Sequence, residues 1–246
     1  MFDFLFKKQK KNRDADQSLK VDLHSHLLPG IDDGAQHADD TLTLIRGLQS
    51  LGYQKCITTP HIYLGVHNNS KEIIMDGLKK VRDLLDQQKI NFQIEAAAEY
   101  FFDEQFFKLI DQNDLMTFGN KYVLFELPFT TKPLMVDDII FKMNLAGYQP
   151  VLAHPERYSF FHNKKMQEYE RMKNAGVLFQ LNIMSLTGHY GEPVRHAARE
   201  LISQGVVDFL GTDLHREKHL PIIEAAKKTQ EYSRLLASGK LLNETL

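Results

Sequence analysis

The segment Gly147-Tyr148-Gln149-Pro150-Val151-Leu152-Ala153-His154 shows a layout that recurs along the chain. A helical pattern comes before the glycine, a short β-rich run follows it, and polar residues end the run. Glycine directly after a helix supplies the left-handed conformation that ends the helix, and the apolar run is typical of a buried parallel strand. The same layout begins at Gly52, Gly176 and Gly205. These segments predict the helix–strand units of an α/β protein.

Further strands and helices fit the same alternation. The remaining strand-like runs are residues 21–24, 92–98 and 122–126. Helical patterns occur at Leu42, Ile45 and Leu48, at Ile74, Leu78, Val81 and Leu85 after the candidate N-cap Ser70, and at Ile139, Met143 and Ala146. Seven strands that alternate with helices, without a signal for an antiparallel hairpin, predict a closed or nearly closed parallel barrel. A doubly wound open sheet is the structural alternative.

Length and composition fit one globular domain. The chain has 246 residues, of which 43% are hydrophobic and 25% are charged, close to the average for proteins that bury a large core. No linker rich in Pro, Gly or Ser interrupts the pattern, so we expect a single domain over residues 20–246. Residues 1–19 are predicted to form a flexible basic tail. Its apolar start also fits a weak tether to a membrane or a partner.

No segment predicts export or insertion into a bilayer. The apolar residues 1–6 precede the basic residues, whereas a secretory signal has the reverse order. Residues 174–191 include too many polar side chains to span a bilayer. Any membrane contact, as a peripheral protein at the inner membrane, would therefore be made by the tail.

Charge and cysteine content limit the chemistry. The formal net charge is -2, so no overall field favours binding to nucleic acid. The chain has 11 histidines and one cysteine. A single cysteine forms neither an internal disulfide nor a thiolate zinc site and fits a reducing compartment, which predicts a cytoplasmic protein. Metal binding or catalysis must therefore depend on His, Asp and Glu.

Ligand-type side chains follow the predicted strands: His24, His26, Asp33, His61, Glu99, Glu126, His154, Asp213 and His215. In a barrel these strand ends meet at one mouth, where active sites of this architecture lie. Carboxylates that share a site repel one another unless cations neutralise them. The pair His24 and His26 is the sharpest motif, because residues i and i+2 of a strand point to the same face. Donors of this kind favour two or three ions of manganese, iron, zinc or magnesium.

Six motifs follow one another along the chain. They are Asp22-Leu23-His24-Ser25-His26-Leu27-Leu28-Pro29-Gly30-Ile31-Asp32-Asp33-Gly34, Thr59-Pro60-His61, Glu99-Tyr100, Phe125-Glu126-Leu127-Pro128, Leu152-Ala153-His154-Pro155-Glu156-Arg157 and Gly211-Thr212-Asp213-Leu214-His215. In this order they resemble the PHP (polymerase and histidinol phosphatase) superfamily, and within it the bacterial capsule and exopolysaccharide tyrosine-protein phosphatases. The resemblance covers roughly residues 20–230, and its specific elements are Asp-Asp-Gly and His-Pro-Glu-Arg.

This resemblance implies a distorted (β/α)₇ TIM-like barrel with a trinuclear centre that is usually described with manganese. It implies hydrolysis of phosphotyrosine on a membrane-bound tyrosine autokinase that regulates polysaccharide export. The strand-end residues above would be the metal ligands, and Glu99 is the best candidate for a bridging ligand. Arg157 matches the phosphate-binding arginine of the family. The family has a second arginine shortly after Asp-x-His, and Arg216 follows that motif immediately here.

The residues also indicate a mechanism. A Cys-x₅-Arg motif is absent, since Ile62 takes the place of the arginine after Cys56, and Cys56 lies in a predicted buried strand. A covalent thiol mechanism is therefore excluded. We expect in-line attack by a hydroxide held between two ions, with a third ion and Arg157 on the nonbridging oxygens. Tyrosinate, with a parent pKa of about 10, needs little general-acid help as a leaving group.

Aromatic residues crowd the same predicted loops: Tyr63, Tyr100, Phe101, Phe102, Phe129, Tyr158, Phe160 and Phe161. Together they would form an apolar rim that holds a phosphotyrosine ring, although each one also fits a position that caps the core. Of the histidines without an assigned role, His189 follows a predicted strand and could line the mouth.

Three other functions stay open. A PHP phosphatase of a small phosphomonoester such as histidinol phosphate would use the same metals. A PHP nuclease is disfavoured by the balanced charge and the lack of a basic stripe. A noncatalytic scaffold with a structural metal would bind ions but release no phosphate.

Overall fold

The computed structural model describes residues 18–162 and 166–246. The predicted tail of residues 1–19 therefore lies outside the described residues, apart from Ser18 and Leu19. Leu19 is buried, and its N–H donates to the Tyr232 hydroxyl at 3.2 Å. The chain thus joins the folded core before the first strand begins.

Short strands alternate with helices along the described residues. The strands are β1 Val21–Leu23, β2 Lys55–Thr58, β3 His61–Ile62, β4 Gln93–Ala96, β5 Glu99–Phe101, β6 Tyr122–Glu126, β7 Gln149–Ala153, β8 Leu178–Asn182 and β9 Phe209–Gly211. The α-helices are α1 Ala38–Ser50, α2 Lys71–Gln87, α3 Glu104–Asp111, α4 Val136–Leu145, α5 Ser159–His162, α6 Gln167–Asn174, α7 Glu192–Gln204, α8 Leu220–Lys227 and α9 Gln230–Ser238. Short 3₁₀ turns lie at Pro155–Arg157, Ile183–Thr187, Glu217–His219 and Asn243–Thr245.

All strand pairs are parallel, which gives an α/β fold. One sheet has the order β1-β2-β4, and the other has the order β3-β5-β6-β7-β8-β9. Beyond the strands, the His26 N–H donates to Leu214 O at 3.0 Å and the Asp213 N–H donates to His24 O at 2.8 Å. These hydrogen bonds join the segment after β1 to the segment after β9.

One predicted strand is divided in two, and one strand was not predicted. The predicted second strand becomes β2 and β3, separated at Pro60, while residues 92–98 give β4 alone and the additional strand β5 begins at Glu99. Proline has no N–H with which to continue a ladder. The register continues across the gap, because Thr58 pairs with Ala96 and His61 pairs with Glu99. The division therefore carries β3 and β5 into the larger sheet without a register shift.

The predicted N-cap of α2 and the predicted glycines after the helices are confirmed. The Ser70 hydroxyl caps α2 by accepting from the Ile73 N–H at 3.4 Å. The glycines that begin the recurring layout adopt positive φ: Gly52, Gly147, Gly176 and Gly205. Among the described residues, no helix combines the length and apolarity that a bilayer crossing requires.

The amino ends of the strands are closed by apolar side chains. Phe118, Phe209 and Leu246 pack together there with the strand residue Leu124. Asn243 is fully buried among them: its amide donates to Val21 O at 3.1 Å and Leu210 O at 2.8 Å, and its oxygen accepts from the Leu210 N–H at 2.9 Å. The C-terminal 3₁₀ turn therefore seals this end and leaves the carboxyl end of the strands open.

Candidate metal centre

The two histidines after β1 lie side by side in the interior. β1 ends at Leu23, one residue earlier than predicted, and His24 has a left-handed φ of 95°. Both imidazoles are fully buried. Their Nε2 atoms lie 3.1 Å (His24) and 3.6 Å (His26) from Glu99 Oε2. The pair therefore converges as predicted, although the backbone between the two residues is not a regular strand.

Glu99, the first residue of β5, lies at the centre of the cluster and is 1% exposed. Its Oε2 is 3.2 Å from His61 Nδ1 in addition to the contact with His24, and its Oε1 is 3.0 Å from His154 Nε2. Each carboxylate oxygen therefore faces at least one imidazole. This placement suits a carboxylate that bridges two cations.

Asp213, just after β9, is a second centre. Its Oδ1 lies 3.3 Å from His24 Nε2, 3.5 Å from His26 Nε2 and 3.4 Å from His215 Nδ1. Its Oδ2 accepts from Asn182 Nδ2 at 2.7 Å. The two oxygens therefore face different neighbours, and one of them is held by an uncharged amide.

The remaining carboxylates lie at the edge of the cluster. Asp33 has a half-exposed side chain, and its Oδ1 lies 3.3 Å from His215 Nε2 and 3.5 Å from His61 Nε2. Glu126, at the end of β6, has Oε1 3.3 Å from His61 Nδ1 and Oε2 3.8 Å from His154 Nε2. All of the residues predicted as ligands are thus brought to one end of the strands.

The donor atoms form four overlapping groups in which the atoms lie within 4.8 Å of one another. The groups are His26, Asp33, His61 and His215; His24, His26 and Asp213; His24, Glu99 and His154; and His61, Glu99 and Glu126. His26 Nε2 and His61 Nδ1 are buried beside carboxylate oxygens 3.2 to 3.6 Å away, but in the described part of the chain neither nitrogen makes a hydrogen bond of good geometry. Unpartnered imidazole nitrogens beside carboxylates fit divalent ions that accept N and O donors.

Residues that the sequence analysis missed orient these imidazoles. Gln180 Oε1 accepts from the His154 N–H at 3.3 Å and lies 2.8 Å from His24 Nδ1, so His24 Nδ1 must be the donor. His26 Nδ1 lies 2.8 Å from Asp32 Oδ2. With Nδ1 engaged in this way, Nε2 of each imidazole is directed at the cluster, as in metal sites whose ligands are held by outer partners.

Only weak sequence signals could have found these partners. Asp32 adjoins the predicted ligand Asp33, while Gln180 and Asn182 are polar residues at alternate positions of an otherwise apolar strand. Gln180 Nε2 donates to Asn182 Oδ1 at 3.0 Å, and Asn182 donates to Asp213. A fully buried amide pair on β8 therefore connects His24 to Asp213.

The charges of the cluster shift one another's ionisation. Burial alone would lower the pKa of His24, but the Glu99 and Asp213 carboxylates outweigh burial and raise it to about 9. Burial likewise opposes protonation of His61, yet Glu99 and Glu126 raise its pKa to about 10. Burial would raise the pKa of Glu99 and Asp213, but the imidazoles hold both pKa values well below their usual range. The carboxylates are therefore ionised at neutral pH and attract cations.

The cluster forms the floor of a cavity of about 580 Å³ at the carboxyl end of the strands, which we call the mouth. Its aromatic lining residues, which we call the aromatic wall, are Tyr63, Phe101, Phe129 and Tyr190. The Tyr63 and Phe101 rings stack with centroids 3.8 Å apart. Arg157, His189 and other polar residues also line the mouth. A cavity of this size with a polar floor and an aromatic wall suits a small aromatic anion.

Most of the predicted aromatic rim lies elsewhere. Tyr100, Phe102, Tyr158 and Phe161 are buried in the core, and Phe160 packs against it. The prediction of a rim is therefore wrong for these residues, because their side chains turn into the core, where the tyrosine hydroxyls find backbone partners. The Tyr100 hydroxyl, for instance, accepts from the Met116 N–H at 2.7 Å.

The two predicted arginines differ in setting. Arg157 lines the mouth and donates to Asp213 Oδ2 at 3.2 Å. Arg216 is exposed at the border between the mouth and a second cavity of about 290 Å³. Among the described residues it has no ion-pair partner. The Arg157 guanidinium is therefore held beside the cluster, whereas the Arg216 guanidinium is exposed at the rim of the mouth.

His189 lines the mouth as predicted, and His67 and His219 line it too. The His67 ring stacks on His61 with centroids 5.3 Å apart. Cys56 is buried in β2, and burial raises the pKa of its thiol well above the usual value. The mouth thus offers imidazoles, and the protonated thiol in the core is excluded as a nucleophile.

Comparison with known proteins gives consistent matches. The chain is 26% identical to the tyrosine-protein phosphatase YwqE of Bacillus subtilis over 203 residues, which cover 80% of this chain and 78% of the relative. It is 24% identical to the putative tyrosine-protein phosphatase CapC of Staphylococcus aureus, over 82% of this chain and 80% of the relative.

A solved structure shares the fold. It belongs to work on YwqE from Bacillus subtilis and CpsB from Streptococcus pneumoniae, described as unique metal-dependent tyrosine phosphatases. The TM-score is 0.79 with 24% identity, and the match covers 91% of this chain and 93% of the other. Residues 20–233 match the family described as "Capsular polysaccharide synthesis, CpsB/CapC". The chain therefore belongs to the CpsB/CapC family of capsular polysaccharide synthesis.

Proposed function

We propose that this chain is a metal-dependent protein-tyrosine phosphatase that hydrolyses the phosphate monoester of phosphotyrosine. The observation that carries the proposal is the mouth, where a cluster of His, Asp and Glu lies beside the Arg157 guanidinium and an aromatic wall. Relatives in the same family are tyrosine-protein phosphatases by name. Family membership and geometry thus support one chemistry.

The parallel strands are proposed to close as a distorted (β/α)₇ barrel within a single domain of residues 20–246. Support comes from the register that continues from β2 into β3 and from the hydrogen bonds that join the ends of β1 and β9. In such a barrel the carboxyl ends of all strands surround the mouth. This arrangement accounts for ligand-type residues drawn from distant parts of the chain.

The cluster is proposed to hold two or three divalent ions, with manganese favoured over iron, zinc and magnesium. The ligands would be His24, His26, Asp33, His61, Glu99, Glu126, His154, Asp213 and His215, and Glu99 would bridge. Bound there, divalent ions would activate water as a nucleophile at neutral pH and neutralise charge on phosphate. The buried, unpartnered nitrogens of His26 and His61 support this assignment.

Other residues of the chain bind and orient the substrate in this scheme. The planar Arg157 guanidinium would donate to nonbridging oxygens of phosphate, the geometry that arginine favours. The aromatic ring of the substrate would lie against the stacked rings of Tyr63 and Phe101. Arg216 would attract the phosphate or neighbouring acidic groups from the rim. Tyrosinate, with a parent pKa of about 10, leaves without a dedicated proton donor.

The substrate is proposed to be a phosphotyrosine-bearing protein, namely a membrane-bound tyrosine autokinase that controls capsule or exopolysaccharide synthesis. The family description supports a role in capsular polysaccharide synthesis. We place the enzyme in the cytoplasm, at the inner membrane when it meets this kinase. The single buried cysteine, which forms no disulfide, supports a reducing compartment.

The decisive experiment is phosphate release from a phosphotyrosyl peptide by metal-stripped protein to which Mn, Fe, Zn or Mg is restored separately. We expect turnover with at least one metal, and manganese to be the most effective. Histidinol phosphate serves as the competing substrate, and faster turnover of it would favour the small-molecule alternative. Bound metal without any phosphate release would favour a noncatalytic scaffold and contradict the proposal.

A further inference from the structure

Arg157 lies between two aromatic rings from different loops. Its Cζ is 4.5 Å from the centroid of the Phe129 ring and 4.3 Å from the centroid of the Tyr190 ring. Both distances are within the range of cation–π attraction, to which arginine also adds stacking of its planar group. Phe129 follows β6, and Tyr190 lies between β8 and α7. Two separate loops therefore each place an aromatic ring against the guanidinium.

The edge of the guanidinium is mostly free. One nitrogen donates to Asp213 Oδ2 at 3.2 Å. A guanidinium has five N–H donors, and within residues 18–162 and 166–246 the others have no hydrogen-bond partner. Arg157 also lines the mouth. Donors that face this cavity in one plane fit a tetrahedral oxyanion bound through two oxygens.

The two rings are themselves held in place. The Phe129 ring stacks on the Tyr158 ring with centroids 5.8 Å apart, and the backbone carbonyl of Phe129 accepts from the Ser159 N–H at 3.0 Å. The Tyr190 hydroxyl donates to Asp213 Oδ2 at 3.4 Å and accepts from Asn182 Nδ2 at 3.5 Å, and both hydrogen bonds are long. The Tyr190 ring contacts Arg157 directly, whereas the hydroxyl contacts only Asp213, the acceptor that Arg157 also uses.

Without the two rings, the hydrogen bond to Asp213 alone would have to hold the long Arg157 side chain in place. Arginine loses about 2 kcal/mol of rotamer entropy when it is fixed, and binding is tighter when such ordering is complete beforehand. A mobile Arg157 could also turn both of its terminal nitrogens towards Asp213, which would withdraw them from the mouth. Stacking between Phe129 and Tyr190 opposes both effects.

We propose that Phe129 and Tyr190 form an aromatic clamp that positions the Arg157 guanidinium for the phosphate group of the substrate. The inference rests on the proposed phosphatase function, in which Arg157 binds phosphate. Phe129 and Tyr190 are positioning residues, and they supply no donor to phosphate themselves.

The first test compares Tyr190→Leu with Tyr190→Phe in the metal-loaded enzyme. Because Arg157 binds phosphate in substrate and transition state alike, Tyr190→Leu should raise KM and the inhibition constant of inorganic phosphate about tenfold while kcat changes less. Tyr190→Phe keeps the ring and should stay within about twofold. Phe141→Leu, on the exposed surface of α4, is the control and should change neither constant.

The second test asks whether Tyr190 acts through Arg157. In an Arg157→Ala background, Tyr190→Leu should weaken phosphate binding no further, since residues that act as one unit give non-additive effects. Metal content, measured by elemental analysis, should be the same in all variants. Equal losses in both backgrounds, loss of metal, or a Tyr190→Phe variant as damaged as Tyr190→Leu would overturn the clamp.

A third measurement separates the clamp from the proposed function. In metal-stripped protein labelled with ¹⁵N, ring currents from both rings should shift the Arg157 Nε–H resonance upfield, and Tyr190→Leu should remove part of this shift and speed exchange with water. Phe129→Leu tests the other ring if Tyr190→Leu does not fold. An Arg157 resonance that both variants leave unchanged overturns the clamp. Absence of phosphatase activity in wild type would instead overturn the function and leave this signal intact.

Discussion

The two ends of the parallel strands have opposite chemistry. At the carboxyl ends, buried imidazoles and carboxylates face one another across contacts of 2.8 to 3.8 Å. At the amino ends, Phe118, Phe209 and Leu246 pack around Asn243, whose amide pairs entirely with backbone. Ligand-type side chains are therefore concentrated at one end, and closure of the core at the other.

Three candidate ligands at the mouth have a strained backbone. His24, His154 and Asp213 adopt positive φ of 95°, 34° and 51°. Such conformations cost non-glycine residues of the order of 1–3 kcal/mol each and persist where surrounding contacts enforce them. Positive φ also occurs at Lys121, directly before β6 on the closed side. Side-chain chemistry, rather than backbone strain, therefore distinguishes the two ends.

The largest expected effect is at the mouth. Asp33→Asn removes a ligand candidate whose side chain is half-exposed, so kcat/KM should fall on the order of 10³-fold as metal is lost. The unfolding free energy of metal-stripped protein should change by less than about 1 kcal/mol, because exposed charge pairs contribute little. Steady-state kinetics, elemental analysis and urea denaturation measure the three quantities. Asp83→Asn on α2 is the matched control, and full activity in Asp33→Asn would remove Asp33 from the ligand set.

At the closed end, we expect a substitution to lower the unfolding free energy but to leave activity unchanged. Asn243→Ala leaves backbone groups of Val21 and Leu210 buried without partners, which should cost about 3 kcal/mol of unfolding free energy. Metal content and kcat/KM should stay within about twofold of wild type at temperatures where the variant is folded. Exposed Asn144, which makes one hydrogen bond to Ala175 O, provides the control Asn144→Ala. If Asn243→Ala lost metal while it remained folded, the two ends would not be independent.

A smaller effect is expected from the amide pair on β8. Gln180→Leu removes the acceptor that holds His24 Nδ1, and substitution of such outer partners typically weakens metal binding by about 10- to 100-fold. Competition with a chelator measures the affinity. Gln149→Leu, at the amino end of the neighbouring β7, should leave it unchanged. Equal affinity in both variants would contradict the orienting role of Gln180.

The smallest expected effect is the release of protons from the mouth when metal binds. In metal-stripped protein, His24 and His61 carry protons at pH 7.5, because their pKa values are raised to about 9 and 10. Ligation requires neutral imidazole, so metal binding should release about one to two protons and strengthen as pH rises towards these pKa values. Calorimetry in two buffers of different ionisation enthalpy counts the protons. Asn243→Ala should release the same number, and an enthalpy independent of buffer would contradict the shifted pKa values.

The same raised pKa values predict how stability varies with pH in metal-stripped protein. The His24 and His61 protons stabilise the fold fully below the unfolded pKa of about 6.5. This contribution decreases as pH rises above about 6.5 and is lost once pH has passed through about 9 to 10, since the carboxylates then lack their countercharge. The melting temperature should therefore fall between about pH 6.5 and the folded pKa values of about 9 to 10, by an equal amount in wild type and Asn243→Ala.

Periodicity and local motifs in the sequence were enough to predict where most strands lie and which residues meet in the cluster. Gly147 and the run that follows it give β7, and His154 lies at its end where the pattern places it. Pro60 is a local signal for the division between β2 and β3, but no local signal shows that Tyr100 and Tyr158 are buried. Whether an aromatic residue near a strand end turns inward depends on distant partners, such as the Met116 N–H for Tyr100.

The sequence by itself determined the parallel α/β order and the residues available as ligands, because strand periodicity and the polar residues at strand ends are local properties. Only the tertiary structure decided which groups support them. Gln180 meets His24 across 156 positions of the chain, and Tyr190 meets Arg157 from a separate loop. Such contacts depend on how strands pair and loops pack, so no short stretch of sequence encodes them.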